Sequence, residues 1–209
     1  EISECLVGSE MCIRDSTITI PQNMAEKQIY FLLFNCFYDK IRRKEEDTMS
    51  FEKVQAYFET FGMGGRCINL KESSATVALA ARALGTEEAR IAKTLSFFVG
   101  ETPLIIVAAG DARIDNRKFK LLFHKKPKMI PGEECEKYIG HRPGGVCPFC
   151  LPSTVDVYLD ISLKRFDVIY PAAGTDHSAV KLTPEELEKY AGVKGWVDVC
   201  KSWQEEPVS

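Results

Sequence analysis

Two apolar stretches joined by a tight turn restrict this chain more than any other feature in it. Ala92 to Val99 reads as a strand, Gly100-Glu-Thr-Pro103 as a turn, and Leu104 to Ala109 as a near-continuous apolar strand, so the spacing predicts a hairpin. Around it the pattern changes to helical periods. Ser50 opens a helix whose apolar positions Phe51, Val54, Phe58 and Phe61 form one stripe that stops at Gly62-Met-Gly-Gly65. A short strand is expected over Arg66 to Leu70. Ser73 or Ser74 then caps an alanine-rich helix, Ala75 to Leu84, closed by Gly85. Thr86 is expected to cap a further short turn. Asp115 to Phe123 is amphipathic and basic, Gly132 to Ile139 is a short helix, and Gly140 to Pro152 is a loop rich in Gly and Pro. Val155 to Leu159, Asp167 to Tyr170 and Ala179 to Leu182 read as strands. Thr183-Pro184-Glu185-Glu186 carries a cap, a proline at the first helical position and a glutamate closing a capping box. With no repeat and no interior linker, the reading is one α+β domain.

Composition narrows the function classes. A net charge of −3 and a pI near 5.8 argue against attachment to nucleic acid by bulk charge. No apolar run approaches the roughly 18 residues a membrane span needs, and no signal peptide precedes the greasy stretch Ile29 to Phe34. The 8 cysteines are scattered, and without a secretion signal reduced thiols in a cytoplasm are the expectation.

Glu1 to Thr48 lacks either periodicity. Cys5 to Ser16 resembles the translation of sequencing-adapter DNA, and Lys44 to Met49 can be back-translated as a purine-rich ribosome-binding site before a start codon. Residues 1–48 are therefore expected to be a non-native or disordered leader, and residues 49–209 the domain, with 21 basic and 21 acidic side chains.

Four places carry chemistry. Lys93 shares a strand face with Leu95, Phe97 and Val99, so it either snorkels at a sheet edge or lines a pocket; the pattern alone favours snorkelling. The loop Arg142 to Cys150 places Gly144 and Gly145 between prolines. That arrangement lets backbone N–H groups approach a carbonyl or oxyanion, or serves as a structural crossover. Its Cys147 and Cys150 form a CxxC, but no second pair completes a zinc site, and the following Pro152 and strand do not suit a thioredoxin-like motif. Thr175, Asp176 and His177 occupy a turn; Asp176 and His177, adjacent on extended chain, are expected to point to opposite sides. Between Arg113 and Lys128 stand seven Lys or Arg and one acid, Asp115, a patch able to touch phosphates but without aromatics interleaved for base stacking. A solvated helix face is the commoner meaning of such a run.

Five segments in order resemble the YbaK/ProX family of trans-editing aminoacyl-tRNA deacylases, a domain also found inserted in bacterial prolyl-tRNA synthetases. They are Ala75 to Gly85, Arg90 to Leu95, Gly110 to Asp115, Gly144 to Phe149 and Tyr170 to Thr175, within a likeness spanning Met49 to Trp203. The resemblance implies a mixed, mostly antiparallel, barrel-like sheet flanked by helices, and hydrolysis of the ester joining a wrong amino acid to the terminal ribose of tRNA. It implies that Lys93 is the catalytic lysine, holding the terminal phosphate or ribose. It further implies that Thr94, Gly144, Gly145, Val146, Cys147, Pro148, Gly174, Thr175 and His177 bind substrate, with backbone N–H groups near Gly145 to Cys147 facing the oxyanion. Arg113, Arg117, Lys118, Lys120, Lys125 and Lys126 would lie along the tRNA backbone. Neither a metal nor another cofactor is implied, nor a membrane; the partners are the acceptor end of tRNA and an aminoacyl-tRNA synthetase. Cys147 is read as a wall of the loop. Ala179 stands where some cysteine-specific relatives carry aspartate, so cysteine specificity does not follow. His177 corresponds to a histidine of alanine-specific relatives, and Cys150 replaces a more usual glycine. Two other classes stay open: a tRNA- or synthetase-binding module without hydrolysis, and CxxC metal or redox chemistry.

Overall fold

The computed structural model describes residues 50–204; the expected leader, with Cys5, Cys12 and Cys36, lies outside the described residues. The hairpin forms the centre. Strand β2 (Ile91–Val99) pairs antiparallel with β3 (Thr102–Ala109), Val99 facing Thr102 and Ala92 facing Ala109. Every residue of β3 from Pro103 onward is buried, as a strand without polar alternation requires.

Before the hairpin come helix α1 (50–59), β1 (Cys67–Asn69) and α2 (Val77–Leu84). After it come β4 (Arg113–Ile114), α3 (Asn116–Phe123), β5 (Lys128–Met129) and α4 (Gly132–Ile139). The rest of the chain supplies β6 (Asp156–Asp160), β7 (Tyr170–Pro171), β8 (Ser178–Val180), α5 (Pro184–Tyr190), β9 (Gly195–Val197) and β10 (Cys200–Lys201). The main sheet runs β5-β2-β3-β6-β9, with β7 added to β2. β5 and β3 lie antiparallel to β2, whereas β7, β6 and β9 join in parallel. Two antiparallel pairs, β1–β8 and β4–β10, complete the strands. The fold is thus α+β with a mixed sheet, as expected, but not a closed barrel: β9 ends one side and β5 the other, and they do not pair.

Aromatic contacts show what covers each face. Phe97 packs on Phe119 of α3 at 5.3 Å between centroids, while its neighbour Phe98 meets Tyr138 of α4 at 4.9 Å. Successive side chains of β2 therefore hold different helices on opposite faces. Val54 and Phe58 of α1 are fully buried, Phe58 against Phe149 at 4.8 Å. Burial of side chains this large contributes about 1.5–3 kcal/mol each.

Several local expectations change. Thr76, not Ser73 or Ser74, caps α2, its hydroxyl accepting from Leu79 N; Ser73 instead accepts from Ala75 N in the preceding turn. Thr86 caps nothing. Its N–H closes α2 onto Ala81 O, and the turn Glu88–Arg90 has no side-chain cap. The strand expected over Asp167 to Tyr170 shrinks to Tyr170–Pro171 plus an isolated Ile169–Leu182 bridge. Phe61 lies beyond the end of α1 and is 46% exposed, against Tyr57 and Tyr190. The α5 capping box is present as read, Thr183 and Glu186 exchanging both bonds.

Candidate functional site

The open edge of β2 locates the site. On that edge β7 pairs with residues 91–92 and β5 with 97–98, leaving the middle of the strand without a partner strand among the described residues. Ser96 O accepts from Ile130 N on this edge. Two residues back, the backbone N–H and C=O of Thr94 project the same way. A cavity of about 300 Å³ opens here. The start of α2 forms one wall, Gly144 and Val146 a second, Tyr170, Ala172, Ser178 and Ala179 a third, and residues 91–95 of β2 the floor.

Lys93 is half-buried in that floor. Its ammonium donates to Gly110 O at 2.9 Å and to Ala112 O. An ammonium has three N–H donors, so one remains for a ligand. Burial pushes its pKa below the ordinary lysine value; the Cys200 thiol and Asp111 oppose that shift, and Arg113 adds to it. Neither a freely snorkelling lysine nor one wholly given to the pocket describes this geometry.

The Gly144–Pro148 loop is only partly as expected. Gly144 and Val146 line the cavity; Gly145, Cys147 and Pro148 do not. A Cβ on Gly145 would lie 2.8 Å from Gly174 O and from Thr175 Cα, so the missing side chain admits the backbone of the 174–175 turn, not a ligand. Gly145 N–H is also committed, donating to Arg142 O at 3.1 Å. The N–H groups of Val146 and Cys147 have no acceptor among the described residues. Of the two, Val146 lines the cavity.

Gly174, Thr175 and His177 sit behind the cavity wall, not on it. Thr175 is buried and donates its hydroxyl to Ser178 Oγ at 2.7 Å, which locks the turn. His177 Nδ1 and Asp176 Oδ1 stand 2.7 Å apart, contrary to the expectation that they diverge. The chain turns at 176–177, so the alternation of an extended strand does not apply there. Asp176 O in turn accepts from Ser74 N at 2.5 Å, tying this turn to the lead-in of α2. Thr94 lines the cavity as expected, and its hydroxyl is buried without a hydrogen-bond partner.

Cys147 is fully buried, its Sγ 3.3 Å from His141 Nε2. That pair resembles a nucleophile and its base, and sequence reasoning missed it because five residues of irregular loop separate the two. The chemistry does not follow. Burial drives the thiol far above its ordinary pKa. Burial also holds His141 below the usual histidine value, and its Nε2 lies 2.9 Å from Phe149 O, where the nitrogen must carry the proton. The nitrogen nearest the thiol is therefore a donor, not a base. Cys147 and Cys150 are free thiols, and no group of three His, Cys, Asp or Glu among the described residues is placed to hold a metal ion.

Of the basic residues, Arg113, Arg117, Lys120, Lys125 and Lys126 are exposed. Lys118 is not available as expected: it pairs with Asp198 at 2.6 Å and donates to Cys200 O, which fastens α3 to the C-terminal segment. The residues that sequence reasoning missed altogether are Tyr170, Ala172, Ser178 and the start of α2, including Thr76. A cap and a short strand gave no hint that they share one cavity.

No helix among the described residues is long and apolar enough to cross a membrane. Residues 71–190 match the model of the aminoacyl-tRNA editing domain family. The uncharacterized protein YwhH of Bacillus subtilis (strain 168) is 45% identical over 157 residues, covering 75% of this chain and all of that protein. Among solved structures, "a putative trans-editing enzyme for prolyl tRNA synthetase" superposes with a TM-score of 0.66 at 29% identity, over 73% of this chain and 97% of the other. Hypothetical protein APE2540 superposes with a TM-score of 0.60 at 28% identity, over 65% and 91% of the two chains.

Proposed function

Because this chain belongs to the aminoacyl-tRNA editing domain family, we propose that it deacylates mischarged tRNA, the substrate ester lying in the cavity at the open edge of β2. The observation that carries this reading is that Lys93, with one ammonium donor left beyond Gly110 O and Ala112 O, lines the same cavity as Val146, whose N–H has no acceptor among the described residues. Lys93 orients the ribose–phosphate end of the ester. Water adds to the ester carbonyl, Val146 N–H receives the oxyanion, and the bond to the ribose oxygen breaks as that oxygen takes up a proton. Pre-placed donors of this kind lower a barrier by about 3 kcal/mol each, enough to matter for an activated ester. Among the described residues lining the cavity Lys93 is the one charged side chain, and Ala80, Ala92, Ala172 and Ala179 stand among them. That lining suits a small, uncharged acyl group.

A panel of mischarged and correctly charged tRNAs tests the reading, with Lys93→Ala and Lys93→Arg alongside. Selective hydrolysis is expected, falling at least ~100-fold in Lys93→Ala. Thermal melting of the variants separates loss of chemistry from loss of the Gly110–Ala112 anchor. A folded wild-type protein that cleaves no ester would overturn the proposal in favour of a binding module.

A further inference from the structure

Arg165 is bound more fully than an arginine near a protein surface needs to be. It ends the turn Ile161–Arg165 that follows β6, and its side chain is 29% exposed. The guanidinium meets Asp111 through two prongs, Nη2 lying 2.6 Å from Oδ1 and Nη1 3.0 Å from Oδ2. Its Nε donates to Ser162 O at 2.9 Å, and Nη1 also donates to Trp203 O at 3.2 Å. The central carbon stands 4.8 Å from the ring centroid of Phe166 and 5.1 Å from that of Trp203. Four of the five N–H donors a guanidinium carries are thus engaged, and the fork cannot turn without losing them.

What the fork holds is the turn that anchors Lys93. Asp111 stands between Gly110 and Ala112, whose carbonyls accept from the Lys93 ammonium. The chain just before Asp111 is gripped through its backbone. A Cβ on Gly110 would lie 1.9 Å from Glu88 O, so this residue is pressed against the turn that leads into β2. Ala109 N donates to Ser162 Oγ at 3.2 Å, from the same turn that ends in Arg165. Asp111 itself is fixed by its side chain, through Arg165.

The pair also governs what Asp111 does to the lysine. Burial lowers the pKa of the Lys93 ammonium, and the Cys200 thiol and the Asp111 carboxylate oppose that shift. An unpaired carboxylate at this distance would compete with the two carbonyls for the ammonium. With both oxygens taken by Arg165, Asp111 supplies negative charge without drawing Lys93 from its anchor.

Resting on the deacylase reading, we propose that Arg165 is a positioning residue: its two-pronged pair with Asp111 fixes the 110–112 turn, whose Gly110 and Ala112 carbonyls aim the Lys93 ammonium at the ester. Arg165 does not line the cavity, so it acts on the reaction through the lysine. An ion pair this exposed adds little to stability, and its weight lies in geometry.

The test compares the full chain with Arg165→Met, which keeps the stem over both rings and removes the fork. For the tRNA that wild type deacylates fastest, kcat is expected to fall about tenfold or more, with KM within about twofold. In a Lys93→Ala background the same substitution should cost less than about twofold, because the group it positions is gone. The second readout is NMR of protein with 13C-labelled lysine, the Lys93 ε-carbon signal being identified by its loss in Lys93→Ala. Arg165→Met should move its titration to higher pH, since Asp111 loses its counter-charge; Asp111→Asn should move it lower. Arg113 and Cys200, the other groups acting on the ammonium, are the same in both variants. If Arg165→Met melts below the assay temperature, Arg165→Lys, which keeps the charge without the fork, is read by the same kinetic criteria.

An equal fall in the Lys93→Ala background, or a Lys93 signal indifferent to Arg165, overturns the proposal. The two readings fail separately. If wild type cleaves ester while the Lys93 signal ignores Arg165, the positioning role falls alone. If the signal responds and wild type cleaves no ester, the hold on Lys93 stands and the deacylase reading falls.

Discussion

The Lys93 ammonium gives two of its three donors to the backbone carbonyls of Gly110 and Ala112, and this arrangement has a chemical consequence. A lysine held at both ends cannot swing, so its remaining N–H points in one direction before substrate arrives, which is what positional catalysis requires. Cys147 makes the opposite point. By proximity to His141 it has the outline of a nucleophile, yet it is fully buried and its neighbour already carries the proton. Cys147→Ser is expected to retain ester hydrolysis to within about threefold, whereas loss of a true covalent nucleophile costs on the order of a millionfold. Steady-state kinetics of the variant decide the matter.

At the scale of elements, the site is a meeting of turns. The 144–148 loop, the 174–177 turn and the lead-in to α2 touch through backbone, with Gly145 against Gly174 and Thr175, and Ser74 against Asp176. Contacts between main chains leave little room to adjust. Gly145→Ala would set a Cβ 2.8 Å from backbone atoms of the neighbouring turn, an overpacking that typically costs about 1–3 kcal/mol. A drop of several degrees in melting temperature is expected, and with it a fall in kcat as Val146 N–H shifts. An alanine variant with wild-type melting and kinetics would show that the two turns do not hold each other. Beside Ala108 and on the same face as Lys93, Asp160, fully buried, plays a comparable part. It accepts from Ser162, Val199 and Cys200 N–H and so pins the final strands below the Lys93 anchor.

For the whole molecule, His141 couples stability to pH. It is buried and lies between Ser50 at the start of α1 and the Phe149 carbonyl of the loop. Its folded pKa is below the ordinary 6.5, chiefly because burial penalises the charge. The unfolded chain therefore binds this proton more readily than the folded one, so stability is level above about pH 6.5 and declines as pH falls below it. Denaturant unfolding at pH 7.5 and 5.5 should show that decline in wild type and a smaller one in His141→Gln. An equal decline in both would place the effect elsewhere.

Local order was legible where a segment's own residues decide it. The apolar run Leu104 to Ala109 requires burial, and Thr183-Pro184-Glu185-Glu186 closes its own capping box. The ordered segments from Ala75 to Thr175 were enough to indicate the family. Of the residues named from the sequence, Lys93, Thr94, Gly144 and Val146 line the cavity, whereas Gly145, Lys118 and the Asp176–His177 pair are placed otherwise than expected. Those errors share a cause. Which wall a glycine faces, whether a lysine meets an aspartate 80 residues away, and how a turn aims adjacent side chains depend on contacts between distant segments. Periodicity, capping and turn chemistry act within a few residues and can be read along the chain. The cavity, the anchor beneath Lys93 and the inert burial of Cys147 arise only when the sheet brings remote backbone together, and that the tertiary structure alone decided.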